Sequence, residues 1–206
     1  MLYFNTIIEL YKRGYFSSIN KEITTEEYFI KDIVEEYVEK TTISDQFPIL
    51  SSTMSGIKMQ DDYFNKQTAS ENTVGYKIIP YGYFTYRSMS DTGVFRFNCQ
   101  QILEKGIVSP AYPVFRIIDH NSKYIEHLLN DTDSIKSQLL VLKEGGTRYA
   151  LSFSKFIKLK IRLPKIEIQN SIANQIIWFD RMLSIQNTVL NKLIDLKTAL
   201  LQQMFI

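Results

Sequence analysis

Hydrophobic and polar positions divide the chain into three stretches of different character. Residues 4–16 place Ile7, Ile8, Leu10 and Tyr11 at helical spacing and stop near Gly14, which predicts a short helix over 1–16. The pattern changes between residues 21 and 165. Thr24 or Thr25 is placed to cap a helix running through Ile30, Ile33, Val34 and Tyr37, with Glu26 and Glu27 in the first turn, where the helix dipole favours acids. Strand-like runs follow, separated by turn residues: PILSST (48–53), YKIIP (76–80), YFTYRS (83–88), VFRFN (94–98), YPVFRI (112–117) and FIKLKIRLP (156–164). The stretch FIKLKIRL alternates with period two, as a half-buried strand does. Between the last two runs, Tyr124, Ile125, Leu128, Leu129, Ile135, Leu139 and Leu140 mark two short helices over 122–142, broken near Asp131. The fold class expected is α+β, with a domain over 21–165.

Residues 167–206 read as one long helix. Pro164 separates it from the preceding strand, and no Gly or Pro follows. Ile176, Phe179, Leu183, Gln186, Leu190, Leu193, Lys197, Leu200 and Met204 alternate steps of three and four, with Met182, Val189 and Leu196 beside them. At 1.5 Å per residue the helix is about 57 Å long, too long to bury itself on a domain of ordinary size. It therefore calls for a partner helix, and Ile176, Phe179, Leu183, Leu190, Leu193 and Leu200 are the residues expected to meet it.

Composition narrows the class. Among 206 residues, 45% are hydrophobic and 22% charged, which fits an ordered globular protein and excludes a disordered or fibrous chain. No run approaches a membrane span, and the N-terminus lacks the basic and apolar regions of a secretory signal. The lone Cys99 has no disulfide partner and no zinc-ligand neighbours, so a cytoplasmic location is expected. Net charge is only +2, yet residues 21–45 hold eight acids against three bases, and residues 143–165 hold seven bases against one acid. This asymmetry predicts an acidic surface separate from a basic one.

Catalytic signatures are absent. His120 and His127 belong to no ligand set and read as surface or structural histidines. The chain has no phosphate-binding glycine loop, no nucleophile elbow and no metal motif. Asp195-Leu196-Lys197 has the carboxylate–lysine spacing of a nuclease site, but it falls on the long helix and reads as a helix-face pair. Binding chemistry remains. Gly145-Gly146-Thr147-Arg148-Tyr149 is either a loop that brings backbone N–H groups, an arginine and an aromatic to a phosphate or base edge, or a β-turn with a solvated arginine. Tyr81, Tyr83, Tyr86 and Arg87 are likewise either a contact platform or one face of a strand.

Five segments take these alternatives further: PILSSTMSGIKMQDDYF (48–64), Tyr76–Ile79 followed by Gly82–Tyr86, Lys105–Tyr112, GGTRYALSFSKFIKLKIRLPKIEIQNSIA (145–173) and LIDLKTALLQQMF (193–205). In order and spacing they resemble the specificity (S) subunit of type I restriction-modification systems, from the opening of a target recognition domain to the end of a spacer helix. That family usually carries two recognition domains and two spacer helices, and this chain offers one of each. Ile7-Ile8-Glu9-Leu10 is similar to Leu193-Ile194-Asp195-Leu196 of the tail, so residues 1–16 read as the last turns of a preceding spacer helix.

The resemblance implies a non-catalytic reader of double-stranded DNA. The recognition domain reads a half-site and the helices set the gap. Modification (methyltransferase) subunits dock on the helices and carry S-adenosylmethionine, so this chain itself needs no cofactor or metal. A restriction subunit is a further partner the family allows. A half-length chain that pairs as a homodimer reads an interrupted palindrome. On this reading the DNA-binding residues are Gly145, Gly146, Thr147, Arg148 and Tyr149, with Arg148 leading, joined by Lys58, Gln60, Tyr86, Arg87 and Lys105. Lys158 and Lys160, on one face of the alternating strand, add electrostatic attraction. The alternatives are a free-standing DNA-binding regulator or decoy and a protein-interaction module without a methyltransferase partner.

Overall fold

A computed structural model describes residues 24–60, 72–142 and 149–204. The helix expected over residues 1–16 lies outside the described residues. The chain divides into two compact units, one spanning Thr25–Ile166 and one whose described part is the helix from Glu167 onward.

The first unit runs β1 (Glu26–Phe29), a 3-10 turn (Ile30–Asp32), β2 (Val34–Glu36), β3 (Leu50–Thr53), β4 (Gly56–Met59), β5 (Lys77–Pro80), β6 (Phe84–Tyr86), β7 (Met89–Ser90), β8 (Phe97–Cys99), β9 (Lys105–Val108) and β10 (Val114–Ile117). Then come α1 (Ser122–Asp131), α2 (Asp133–Leu142), β11 (Tyr149–Ala150), α3 (Phe153–Phe156) and β12 (Lys160–Leu163). A four-stranded antiparallel sheet, ordered β2-β10-β6-β8, forms the centre. Four two-stranded antiparallel ladders surround it: β1-β12, β3-β4, β5-β9 and β7-β11.

Three expectations are corrected. The helix from Thr24 or Thr25 through Tyr37 does not form. Glu26–Phe29 instead pairs residue for residue with Lys160–Leu163, and the chain turns once before β2. Tyr, Phe, Ile and Val are indifferent helix formers and good strand formers, so tertiary pairing overrides the first-turn acids. The FIKLKIRL alternation holds only from Lys160 onward. Before it, Ser152 O accepts from Phe156 N (3.0 Å) and Phe153 O from Ile157 N (3.0 Å), which closes α3 and leaves Lys158 in a turn. Phe156 and Leu159 are both buried because three residues make nearly one helical turn there, rather than by alternation.

The third correction concerns charge. The acidic and basic segments are not wholly apart, because Glu26 and Glu27 of β1 and Lys160 and Arg162 of β12 share one ladder. Lys160 Nζ lies 3.0 Å from Glu27 Oε1 and 5.3 Å from the Phe29 ring centre, which Lys31 also approaches at 5.2 Å. Lys160 is thus engaged within the fold. This exposed pair contributes a few tenths of a kcal/mol at most.

The core is aromatic. Phe84, Tyr86, Phe97, Phe115 and Phe156 are fully buried. Their rings stack and tilt at close range, with Phe97–Phe156 at 4.8 Å, Tyr86–Phe97 at 4.9 Å and Phe115–Phe156 at 5.1 Å. The two expected helices form with their break at Thr132. Asn121 Oδ1 caps α1 by accepting from Tyr124 N (3.0 Å), and α1 buries Tyr124, Ile125, Leu128 and Leu129. A second cluster joins Leu50, Ile79, Val108 and Val114, and it requires Gly106.

The long helix α4 (Ile166–Met204) matches the span expected. Its exposure is graded. Gln169, Ile172, Ala173 and Ile176 are buried, whereas from Ile177 onward every described apolar side chain is half-buried or exposed. Ile176, expected on the partner face, is therefore already covered within one chain. Phe179, Leu183 and Leu190 are half-buried, and Leu193 and Leu200 are exposed.

A Cβ added at Gly106 would lie 2.8 Å from Leu50 Cγ, which is buried in the second cluster, and 3.3 Å from Pro48 O, which accepts from Ile107 N at 2.9 Å. Gly106→Ala is expected to destabilise the unit by about 1–3 kcal/mol through overpacking. An unchanged urea midpoint would contradict this close packing.

Candidate nucleic-acid interface

In the hairpin β3-β4, strand β3 alternates strictly. Leu50 and Ser52 turn inward, while Ser51 and Thr53 are half-buried and Lys58 is exposed. The hairpin does not extend the central sheet. A buried amide ties it there instead: Asn98 Nδ2, on β8, donates to Ser52 Oγ (2.9 Å) and to Thr53 O (2.8 Å).

Beside the hairpin lies a cleft of about 810 Å³. Ser51, Thr53, Ser55 and Gln60 bring hydroxyls and an amide to it, and the segment after β6 contributes Arg87 and Arg96. Exposed Met54, Met89 and Val94 share the lining, together with Tyr76 and Tyr112. Charged, hydroxyl and apolar groups are thus mixed in one concave surface, which suits polar base edges and thymine methyls together.

The two arginines differ electrostatically. Burial raises the Tyr112 phenol pKa, and the nearby Arg87 charge opposes that rise. Among the described residues Arg87 forms no ion pair. Arg96 NH1, by contrast, lies 3.4 Å from Asp131 Oδ1 at the end of α1, and His127 Nδ1 meets the other Asp131 oxygen at 2.9 Å. Arg96 Nε is buried with no acceptor among the described residues.

The structure gathers some of the residues picked from sequence and disperses others. Gln60 and Arg87 meet in the cleft. Tyr149 pairs with Ser90, and Ala150 with Met89, so β11 is laddered to part of the cleft wall. Gly145, Gly146, Thr147 and Arg148, which precede it, lie outside the described residues. Lys58 sits opposite Ser51 in the hairpin register but does not line the cleft. Lys105 lies 5.8 Å from the Phe47 ring centre, also outside the lining. Tyr86 is a correction. It is fully buried among Phe97, Phe115 and Phe156, and its hydroxyl donates to Leu151 O at 3.2 Å. As the inward member of the alternation Tyr86-Arg87, it packs the core while its neighbour faces out.

Arg96 was not singled out from sequence, though a signal existed. Phe95-Arg96-Phe97 brackets it with two buried aromatics, and alternation then points the arginine outward. Burial, with the Glu126 charge, pushes the Cys99 thiol up to about 12, so it stays protonated at neutral pH. Among the described residues no cluster of His, Cys, Asp and Glu is set to hold a metal, and no helix is long and apolar enough to cross a membrane.

The sequence matches no family model and no curated protein. Solved structures do match. The chain is similar to the type I restriction-modification S subunit of M. genitalium, with 14% identity and a TM-score of 0.50 over 79% of this chain and 41% of that one. It is also similar to the HsdS subunit of Thermoanaerobacter tengcongensis, with 11% identity and a TM-score of 0.55 over 89% and 46%. A third match, from a structure of type I R-M system assembly and conformational transition, has 11% identity and a TM-score of 0.56 over 89% and 46%. The fold is therefore that of the S subunits, and the chain spans less than half the length of each.

Two substitutions separate core from interface. Tyr86→Phe removes one buried hydrogen bond and should cost about 0.5–1.5 kcal/mol without changing affinity for duplex DNA. Asn98→Ala leaves Ser52 and Thr53 O unpaired, should cost about 1–3 kcal/mol, and should weaken duplex binding at temperatures where the unit is still folded. Denaturation and fluorescence-anisotropy titrations read both. Weakened binding by folded Tyr86→Phe would return that residue to the interface.

Proposed function

We propose that this chain is a DNA-specificity subunit of a type I restriction-modification system in half-length form, carrying one target recognition domain and one spacer helix. The observation that carries this reading is the fold match, which aligns most of this chain with 41–46% of the S-subunit chains. A cleft mixing arginines, hydroxyls and exposed apolar side chains supports a reading surface for double-stranded DNA. The chain is proposed to work in the cytoplasm.

Trp178, Ile185, Val189, Leu193, Leu196 and Leu200 are exposed along α4 and form more apolar surface than one soluble helix leaves uncovered. A second copy packed on this helix would give a two-fold homodimer, and two identical readers would require an interrupted palindrome. Modification subunits docked on the same helices would supply S-adenosylmethionine and the methyl-transfer chemistry. The chain itself would catalyse nothing.

Two experiments test this. Light scattering is expected to give a dimer for the unmodified chain and monomers for the Leu190→Glu, Leu193→Glu double variant. A stable monomer at micromolar concentration defeats the homodimer. Sequence-specific methylation is expected only when chain, modification subunit and S-adenosylmethionine are combined. Methyl transfer by the chain alone, or failure of the modification subunits encoded beside it to bind, defeats the assignment.

A further inference from the structure

We infer that Arg96 reads a guanine edge in double-stranded DNA, with Asp131 as its positioning residue, while Arg87 in the same cleft holds a backbone phosphate. The inference rests on the DNA-reading function proposed above and divides the work within that site. Both arginines line the cleft, but they are prepared differently.

A phosphate contact needs charge, whereas a base contact needs direction. Arg87 keeps its full charge, since among the described residues it forms no ion pair and its side chain is exposed. It can follow a phosphate wherever the backbone passes. Asp131 stands 3.4 Å from Arg96 NH1, so its carboxylate offsets much of the guanidinium's attraction for phosphate while limiting where the fork points. Asp131 is held in turn by His127 at 2.9 Å. An oriented guanidinium loses less entropy on binding, and its planar donors match the O6 and N7 acceptors of guanine.

Two further observations favour a base over a phosphate at Arg96. Its Nε is buried without an acceptor among the described residues, which leaves the outer NH1 and NH2 donors to meet a ligand. Met54, Met89 and Val94 share the cleft as exposed apolar groups; they gain nothing against a phosphate and fit the methyl-bearing floor of a major groove. The backbone on the far side of Arg96 is also immobilised. Asn130 Oδ1 accepts from Phe97 N (2.9 Å), and Asn130 Nδ2 donates to Phe97 O (2.8 Å). The arginine therefore leaves a fixed point on the sheet edge, as a discriminating contact requires.

The test uses the full chain with a pool of duplexes randomised over a central window, followed by sequencing of the bound fraction and titration at two salt concentrations. The unmodified chain is expected to select a motif containing G·C pairs. Arg96→Ala and Arg96→Lys should each lose discrimination at one G·C position by about 5- to 150-fold and leave the other positions intact. Asp131→Asn keeps the arginine and its charge, and should relax that same position without lowering the salt slope. A merely structural aspartate would not select one base position. Arg87→Ala should weaken all sequences alike and reduce the salt slope by about 0.9. Should folded Arg96→Ala and Arg96→Lys keep the motif, or weaken every sequence equally, Arg96 reads no base and the inference falls while the DNA-reading function stands. Binding of no duplex by the unmodified chain defeats both.

Discussion

An unpaired sheet edge is the constraint on which the unit Thr25–Ile166 depends. β8 is the outer strand of the central sheet, and an exposed strand edge is a template for pairing with another chain. Here α1 covers it with side chains. Asn130 supplies an amide that mimics a neighbouring strand at Phe97, using both its donor and its acceptor. Glu126, one turn earlier, accepts from Cys99 N at 3.4 Å. From the same few residues, Asn98 suspends the β3-β4 hairpin and Arg96 reaches Asp131. Closing the edge and building the cleft are thus one structural solution.

The two units solve different physical problems. The unit Thr25–Ile166 buries its aromatics in a sheet-and-helix core and leaves polar variety in a cleft. The helix from Glu167 onward is covered near its start and increasingly bare along its length. Under the proposed function these are a reader and a ruler. The reader needs fixed donors, and the ruler needs length and a partner.

Charge shows how folding can cancel what composition suggests. Acidic 21–45 and basic 143–165 stand far apart in the chain, yet β1 and β12 bring part of each side by side, and Lys160 finds Glu27. Arg116 similarly donates through Nε to Glu35 at 2.6 Å across β10 and β2. Exposed pairs of this kind add little stability. What they change is availability, since a lysine held in the fold contributes less to attracting an external polyanion. Under the proposed function the cleft cations, fewer but convergent, then carry more of the binding.

Much of this was legible in the residues. The long helix, the two helices broken at Thr132, a strand in each of the six strand-like runs and the α+β class follow from periodicity and turn chemistry, because those signals are local. The segment order that resembles S subunits also pointed to the fold, although identities of 11–14% leave little else in common with the solved chains. What the sequence could not decide was non-local. Glu26–Phe29 is a strand because residues more than 130 positions later offer a ladder, and helix propensity alone cannot anticipate that partner. Tyr86 and Arg87 looked equivalent until packing turned one into the aromatic core and the other into the cleft. Arg96 became a candidate reader only when α1 folded back and set Asp131 beside it. Sequence determined the elements through local periodicity; tertiary structure decided which side chains converge, because convergence depends on contacts between residues that the chain keeps far apart.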